Sequence, residues 1–208
     1  MKKQICFLLT LMGLAVLSPQ TTNAGYVTYT NRAAFLADLD SAQNVSFEGN
    51  YASSWTSFSN SAGLNTGGVN FVGPNPGVGG GHYLFIGESS VNSWGMTKGM
   101  TTGDFLLGEG RGQIDAALPT GQQAVGMDFI VGEGITTGTM VNVTFELFSG
   151  QTYSFDVAAQ VNQFFGVVSD NADVDGITYR TKADTRPPQI AIDNLTFGTA
   201  LPDAFLQN

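Results

Sequence analysis

From Met140 to Phe148 the chain alternates. Val141, Val143, Phe145 and Leu147 fall on one side, with Asn142, Thr144 and Glu146 opposite. That period of two belongs to a β-strand with one face buried, because successive side chains of a strand point to opposite faces. Ser149-Gly150-Gln151 follows as a tight turn, and Tyr153 to Val157 alternates again. The segment therefore predicts an antiparallel β-hairpin. Shorter runs repeat the theme at Val45–Glu48, Val69–Val72, Tyr83–Ile86, Gln113–Leu118, Ala124–Val131, Phe164–Val168, Gly176–Arg180 and Ile190–Phe197. Short strands at regular spacing, separated by Gly-rich turns, predict an all-β fold: an antiparallel β-sandwich or jelly roll. One short N-terminal helix is expected over Thr30–Leu39, with Thr30 as its N-cap and Phe35 and Leu39 on one face. Residues 60–81 carry eight glycines and two prolines, and read as a long surface loop interrupted by one strand.

Composition agrees with this and excludes several alternatives. The chain has 208 residues, of which 27 are Gly, 15 are Phe and only 12% are charged. Such a chain is Gly-rich and poor in the Glu and Lys of long helices, and it is too apolar for disorder. The formal charge of −9 argues against nucleic acid, which needs a basic face. A single Cys and a single His exclude a disulfide framework and make a zinc or copper site improbable. His82 follows three glycines, and no Gly-x-Ser-x-Gly accompanies it, so a Ser-His-Asp triad is not expected.

The N-terminus has a separate logic. Lys2 and Lys3 precede an apolar run from Ile5 to Leu17, then a polar stretch ends at Ala24, with Thr22 and Ala24 at the −3 and −1 positions. That is the layout of a secretory signal peptide, and the run is short for a membrane span. The expected organisation is a signal peptide over 1–24, one β-sandwich domain over 25–200 and a short tail over 201–208. Cleavage would remove Cys6 and both lysines, leaving six basic against 17 acidic residues and a net charge of −11. The expected location is secreted or periplasmic, with no membrane attachment after cleavage.

Oxygen chemistry and aromatic surfaces are what such a chain has left. Glu48 and Asp193 each stand in a strand that otherwise buries apolar residues. First and last strands of a sandwich are often neighbours, so the two carboxylates are expected together, with a structural calcium as their counter-ion. Asn171-Ala172-Asp173-Val174-Asp175-Gly176 matches the opening of a calcium loop, but Lys182 stands where its closing acid belongs, and a polar turn between strands is the expectation. Trp55, Tyr83 and Trp94 lie in polar, loop-like surroundings and are candidates for a sugar-stacking platform. The alternative is that they plug the ends of the core.

Four segments resemble PEP-CTERM-type exported bacterial proteins. They are Ala33-Ala34-Phe35 with Val45-Ser46-Phe47-Glu48-Gly49, then Ala124 to Phe129, Phe164 to Ser169, and Ile192 to Gly198. The resemblance implies an exported β-sandwich with no established activity. Such proteins continue into a Pro-Glu-Pro motif, a membrane helix and a basic end, whereas this sequence runs to Leu201-Pro202-Asp203-Ala204-Phe205-Leu206-Gln207-Asn208. The expected function is non-enzymatic binding of extracellular polysaccharide or matrix. The alternatives are a carbohydrate-active hydrolase or lyase using a carboxylate pair, and a purely structural surface protein.

Overall fold

The computed structural model describes residues 25–48, 55–59, 63–73, 83–88, 104–108, 112–132, 137–181, 190–202 and 204–205. His82, Trp94 and residues 1–24 lie outside them. The described elements run β1 (Tyr26–Tyr29), α1 (Arg32–Ala37), β2 (Leu39–Val45), β3 (Trp55–Ser59), β4 (Leu64–Thr66), β5 (Val69–Val72) and β6 (Tyr83–Glu88). Next come β7 (Asp104–Gly108), β8 (Gln113–Ala117), β9 (Ala124–Val131), β10 (Met140–Leu147) and β11 (Thr152–Ala158). The chain finishes with β12 (Gln163–Ser169), β13 (Gly176–Thr181) and β14 (Ile190–Ala200).

The strands form two antiparallel sheets. Sheet A has the order β1-β12-β9-β14-β7-β6-β3, with β2 also paired to β14; sheet B has the order β11-β10-β13-β8-β5-β4. The expected all-β sandwich is the observed architecture. The alternating face of β10 points inward, where Phe145 stacks on Tyr179 of β13 at 4.7 Å and on Phe165 of sheet A at 4.3 Å. Phe129 of β9 meets Phe145 edge-on at 5.0 Å. Such aromatic pairs add roughly 0.5–1.5 kcal/mol each beyond their buried area, so this cluster pins the two sheets together.

A second, smaller core lies on the outer face of sheet A. Phe35 of α1 is fully buried there against Tyr29, Ala124, Phe164 and Val168. Its ring needs flat backbone beneath it: a Cβ on Gly126 would stand 2.7 Å from Phe164 and 3.0 Å from Phe35, and one on Gly166 2.8 Å from Phe35. Two glycines opposite one another on β9 and β12 thus make the seat for the helix. Ala204 is buried and Phe205 packs on the same cluster, so part of the 201–208 segment is docked rather than free.

Four sequence expectations are corrected. The helix is shorter than Thr30–Leu39: Asn31 caps it by accepting from the Ala34 N–H, and it spans Arg32–Ala37. Leu39 already pairs with Ala200 in β2, because strand pairing with β14 outcompetes another helical turn. The strand expected at Val45–Glu48 lies earlier, at Leu39–Val45, and is mostly exposed, which is why its sequence carries no apolar alternation. Among the described residues of 60–81 there are two strands, β4 and β5, joined by Gly67 and Gly68 in left-handed conformations. Trp55 stands in β3 rather than in a loop, while Tyr83 opens β6 where the run Tyr83–Ile86 predicts a strand.

Candidate functional site

The site begins with a defect in β14. Its register against β9 shifts between Asp193 and Thr196, and Asn194 adopts a left-handed conformation at φ 48°. Asn tolerates that region better than most residues with a Cβ. At the same point β14 changes neighbour: Ile190–Ile192 pair with β7, and Leu195 onward pairs with β2. A bulge of this kind re-aims side chains.

Asp193 is consequently a buried carboxylate, 6% exposed. One oxygen accepts the Asn194 backbone N–H at 2.6 Å and the other accepts Asn194 Nδ2 at 2.9 Å. Burial pushes its carboxyl up to about 6. The Asn194 N–H opposes that rise, the negative charges of Glu48 and Asp128 add to it, and the Arg32 guanidinium opposes it again. Glu48 is itself exposed and accepts the Asp104 backbone N–H at 3.1 Å, at the head of β7. Glu48 and Asp193 therefore act on one another electrostatically. Among the described residues no group of three or more His, Cys, Asp or Glu side chains is arranged to hold a metal ion.

Asp128 faces Asp193 across the β9–β14 ladder, and Arg32 reaches both strands from the first turn of α1. Its Nε donates to Asp128 at 3.2 Å, its Nη2 lies 3.0 Å from the other Asp128 oxygen, and the same Nη2 donates to the Asn194 carbonyl at 2.8 Å. Nη1 donates to Thr196 Oγ1 at 3.0 Å, and the guanidinium lies over the Phe164 ring at 4.9 Å. Thr196 Oγ1 donates onward to Asn44 of β2 at 2.9 Å. Two cavities open beside this network. One, of about 350 Å³, is lined by Arg32, Leu36, Asn44, Asp128, Asn194 and Thr196. The other, of about 520 Å³, has Thr30, Asp156, Asn162 and Gln163 around it and Phe155 and Phe164 as its aromatic walls. Asp128 lines both.

Leu84 and Ile86 of β6 point into the inter-sheet core. The backbone of β6 pairs with β3 so that Trp55 stands opposite Gly87 and Tyr83 opposite Ser59, which puts the two candidates at opposite ends of one strand pair. β7 pairs with β6 on one side and with Ile190–Ile192 of β14 on the other. Trp94 is outside the described residues.

The turn at 171–176 ties β1 to β12. Asp173 accepts from Tyr26 Oη at 2.7 Å and from Ser169 Oγ at 2.6 Å, so its oxygens are occupied by the protein's own donors. Sequence reasoning missed Arg32, Asn44, Asp128, Asn162 and Asn194. One signal was present: Asp128 is the lone charge in the apolar run Ala124–Val131.

No family model matches the chain, and no curated protein matches it. Solved structures do. The C-terminal family 22 carbohydrate-binding module of Clostridium thermocellum Xyn10B is 15% identical, with 76% of this chain and 93% of that chain covered and a TM-score of 0.36. A xylan-binding domain of family 22 is 15% identical over 79% of this chain and 96% of that chain, with a TM-score of 0.37. A family 61 module solved with β-1,4-galactotriose is 14% identical over 69% and 86%, with a TM-score of 0.27. Overlaps this loose assign neither residues nor a ligand here. What the coordinates themselves establish is a two-sheet antiparallel β-sandwich whose larger sheet carries a charged, hydrogen-bonded groove on its outer face.

Proposed function

We propose that this is an exported β-sandwich protein that binds extracellular polysaccharide without chemically changing it. The observation that carries the reading is a polar cavity beside Arg32, Asp128, Asn194 and Thr196 on the outer face of sheet A, with a second cavity at Asp128 walled by the rings of Phe155 and Phe164. Sugar rings offer hydroxyls at their edges and C–H groups on their faces. Planar polar side chains such as Asp128 and Asn194 suit the first, and aromatic rings suit the second. Export rests on the basic, apolar and small-residue pattern of residues 1–24. Calcium belongs to this reading only at Glu48 and Asp193, where an ion would have to displace the Asp104 and Asn194 N–H groups from the carboxylate oxygens.

Affinity electrophoresis of the purified protein through polysaccharide-containing gels tests it. The wild type is expected to be retarded by at least one polysaccharide, and Trp55→Ala, Tyr83→Ala and Trp94→Ala each to weaken binding about three- to tenfold. Unretarded migration in every gel overturns the reading.

One observation favours an enzyme: a carboxyl that titrates near 6 beside a second acid is what a glycoside hydrolase needs. Asp193 is nevertheless buried, with both oxygens turned onto Asn194. Release of reducing sugar, abolished by Asp193→Asn, would replace the binding reading with this one.

A further inference from the structure

We infer that the groove formed by the two cavities meeting at Asp128 takes a neutral, hydroxyl-rich sugar chain and rejects polyanionic ones. The inference rests on the polysaccharide-binding reading and adds the class of polysaccharide and the residues that choose it.

The groove is rich in hydrogen-bond acceptors. Asp128, whose oxygens accept from Arg32 and Asn194, and Asp156, one of whose oxygens accepts from Asn142, line it with lone pairs to spare, and the buried Asn162 Oδ1 has no hydrogen-bond partner among the described residues. That oxygen lies just beneath the surface of a residue that lines the cavity, and a buried unpaired acceptor is costly unless a turn of its side chain brings it to a donor. Sugar hydroxyls donate; carboxylate and sulfate groups do not.

Arg32 is the one cation lining the groove among the described residues. Its charge is already matched by Asp128, and all three of its nitrogens donate within the protein. No donor fork is left for a uronic acid. Asp193, which interacts electrostatically with Asp128 and Glu48, adds negative charge nearby, and the whole chain is acidic at −9, so the field over the groove repels a polyanion. Phe155 and Phe164 supply apolar walls for ring faces, and Leu36, 41% exposed, supplies another in the adjoining cavity.

Isothermal titration of the full chain with hydroxyethylcellulose, galactomannan, chitosan and polygalacturonate tests the assignment. A neutral polymer is expected to bind, with an affinity that changes less than about threefold between roughly 50 and 500 mM salt. Polygalacturonate is expected not to bind. Asp128→Asn should weaken neutral binding about tenfold and Asn162→Ala about fivefold. The Asn162 oxygen is unpaired in the unliganded protein, so its removal breaks no hydrogen bond; that variant should melt at or above the wild type and so separates binding from folding. Polygalacturonate or chitosan bound more tightly than the neutral polymers overturns the inference. So does neutral binding that Trp55→Ala weakens while both groove variants leave it intact; in that case the general reading stands and the groove assignment falls. Binding to none of the four overturns the groove assignment, and the general reading then falls only if affinity electrophoresis also shows no retardation in any gel.

Discussion

Gly198→Ala is expected to lower the melting temperature by about 6–12 °C. Gly198 of β14 lies between Ala42 of β2 and Ala124 of β9. A Cβ built there overlaps the Ser41 carbonyl oxygen and stands 2.8 Å from the Ser41 carbonyl carbon and 3.1 Å from the Ala42 Cα. These are backbone atoms, so no rotamer change relieves the clash and β2 must move away from β14. Overpacking of this kind costs about 3 kcal/mol, and one kcal/mol moves the midpoint of a domain this size by about 2–4 °C. The same displacement carries Asn44 out of the groove, so polysaccharide binding should weaken with it. Gly121→Ala is the reference: that site has open space around it and only a left-handed φ of 85°, so it should cost about 1 kcal/mol. A Gly198→Ala melt within 2 °C of wild type would mean that β2 is not seated on β14 as described.

Asp193→Asn is expected to raise the melting temperature at pH 8 by about 3–6 °C in calcium-free buffer, and to leave it unchanged near pH 4. The sign follows from linkage. The folded carboxyl titrates near 6, above the ordinary value of 3.8, chiefly because it is buried. Below about pH 4 both folded and unfolded chains hold the proton. As the pH rises to 6 the unfolded chain releases it first, so stability falls through that window and stays low above it. Two pK units would be worth about 3 kcal/mol at most, and partial solvent screening reduces that to about 1–2 kcal/mol. The amide never ionises, so the variant escapes the fall. A variant that melts below wild type at pH 8 without calcium would show that the carboxylate is stabilised as an anion. Calcium between Glu48 and Asp193 reverses the comparison: it raises the wild-type melt and leaves the variant unmoved. Wild-type melts that superimpose with calcium and with chelator remove the ion from this site.

How much of this was legible depended on what buried each residue. Ala124–Val131 and Met140–Leu147 were readable to within a residue, because core burial writes apolar side chains at alternate positions. The turn at Ser149-Gly150-Gln151 was readable because turn chemistry is local. Leu39–Val45 was not. Five of its seven residues are exposed, and it is a strand only because β14 offers it a ladder. The end of α1 was missed for a related reason: Asp38 is held by Tyr29 Oη and by the Leu201 N–H, and neither contact has a local signature. Glu48 and Asp193 stood out as acids among apolar neighbours, and the structure places them within electrostatic reach. Arg32 did not stand out, since nothing near it in the chain marks it as the partner of Asp128.

The sequence by itself determined the all-β class, the central strands and the hairpin. Each of these expresses a local rule, a period of two or a turn preference, that a few neighbouring residues satisfy together. The tertiary structure decided where β2 lies, that Trp55 is a strand residue, and that a groove exists at all. Arg32 meets Asp128 across 96 residues and the Asn194 carbonyl across 162. Such contacts form only once β9 and β14 have paired and the helix has docked on their sheet, because packing rather than local preference supplies the free energy that holds them.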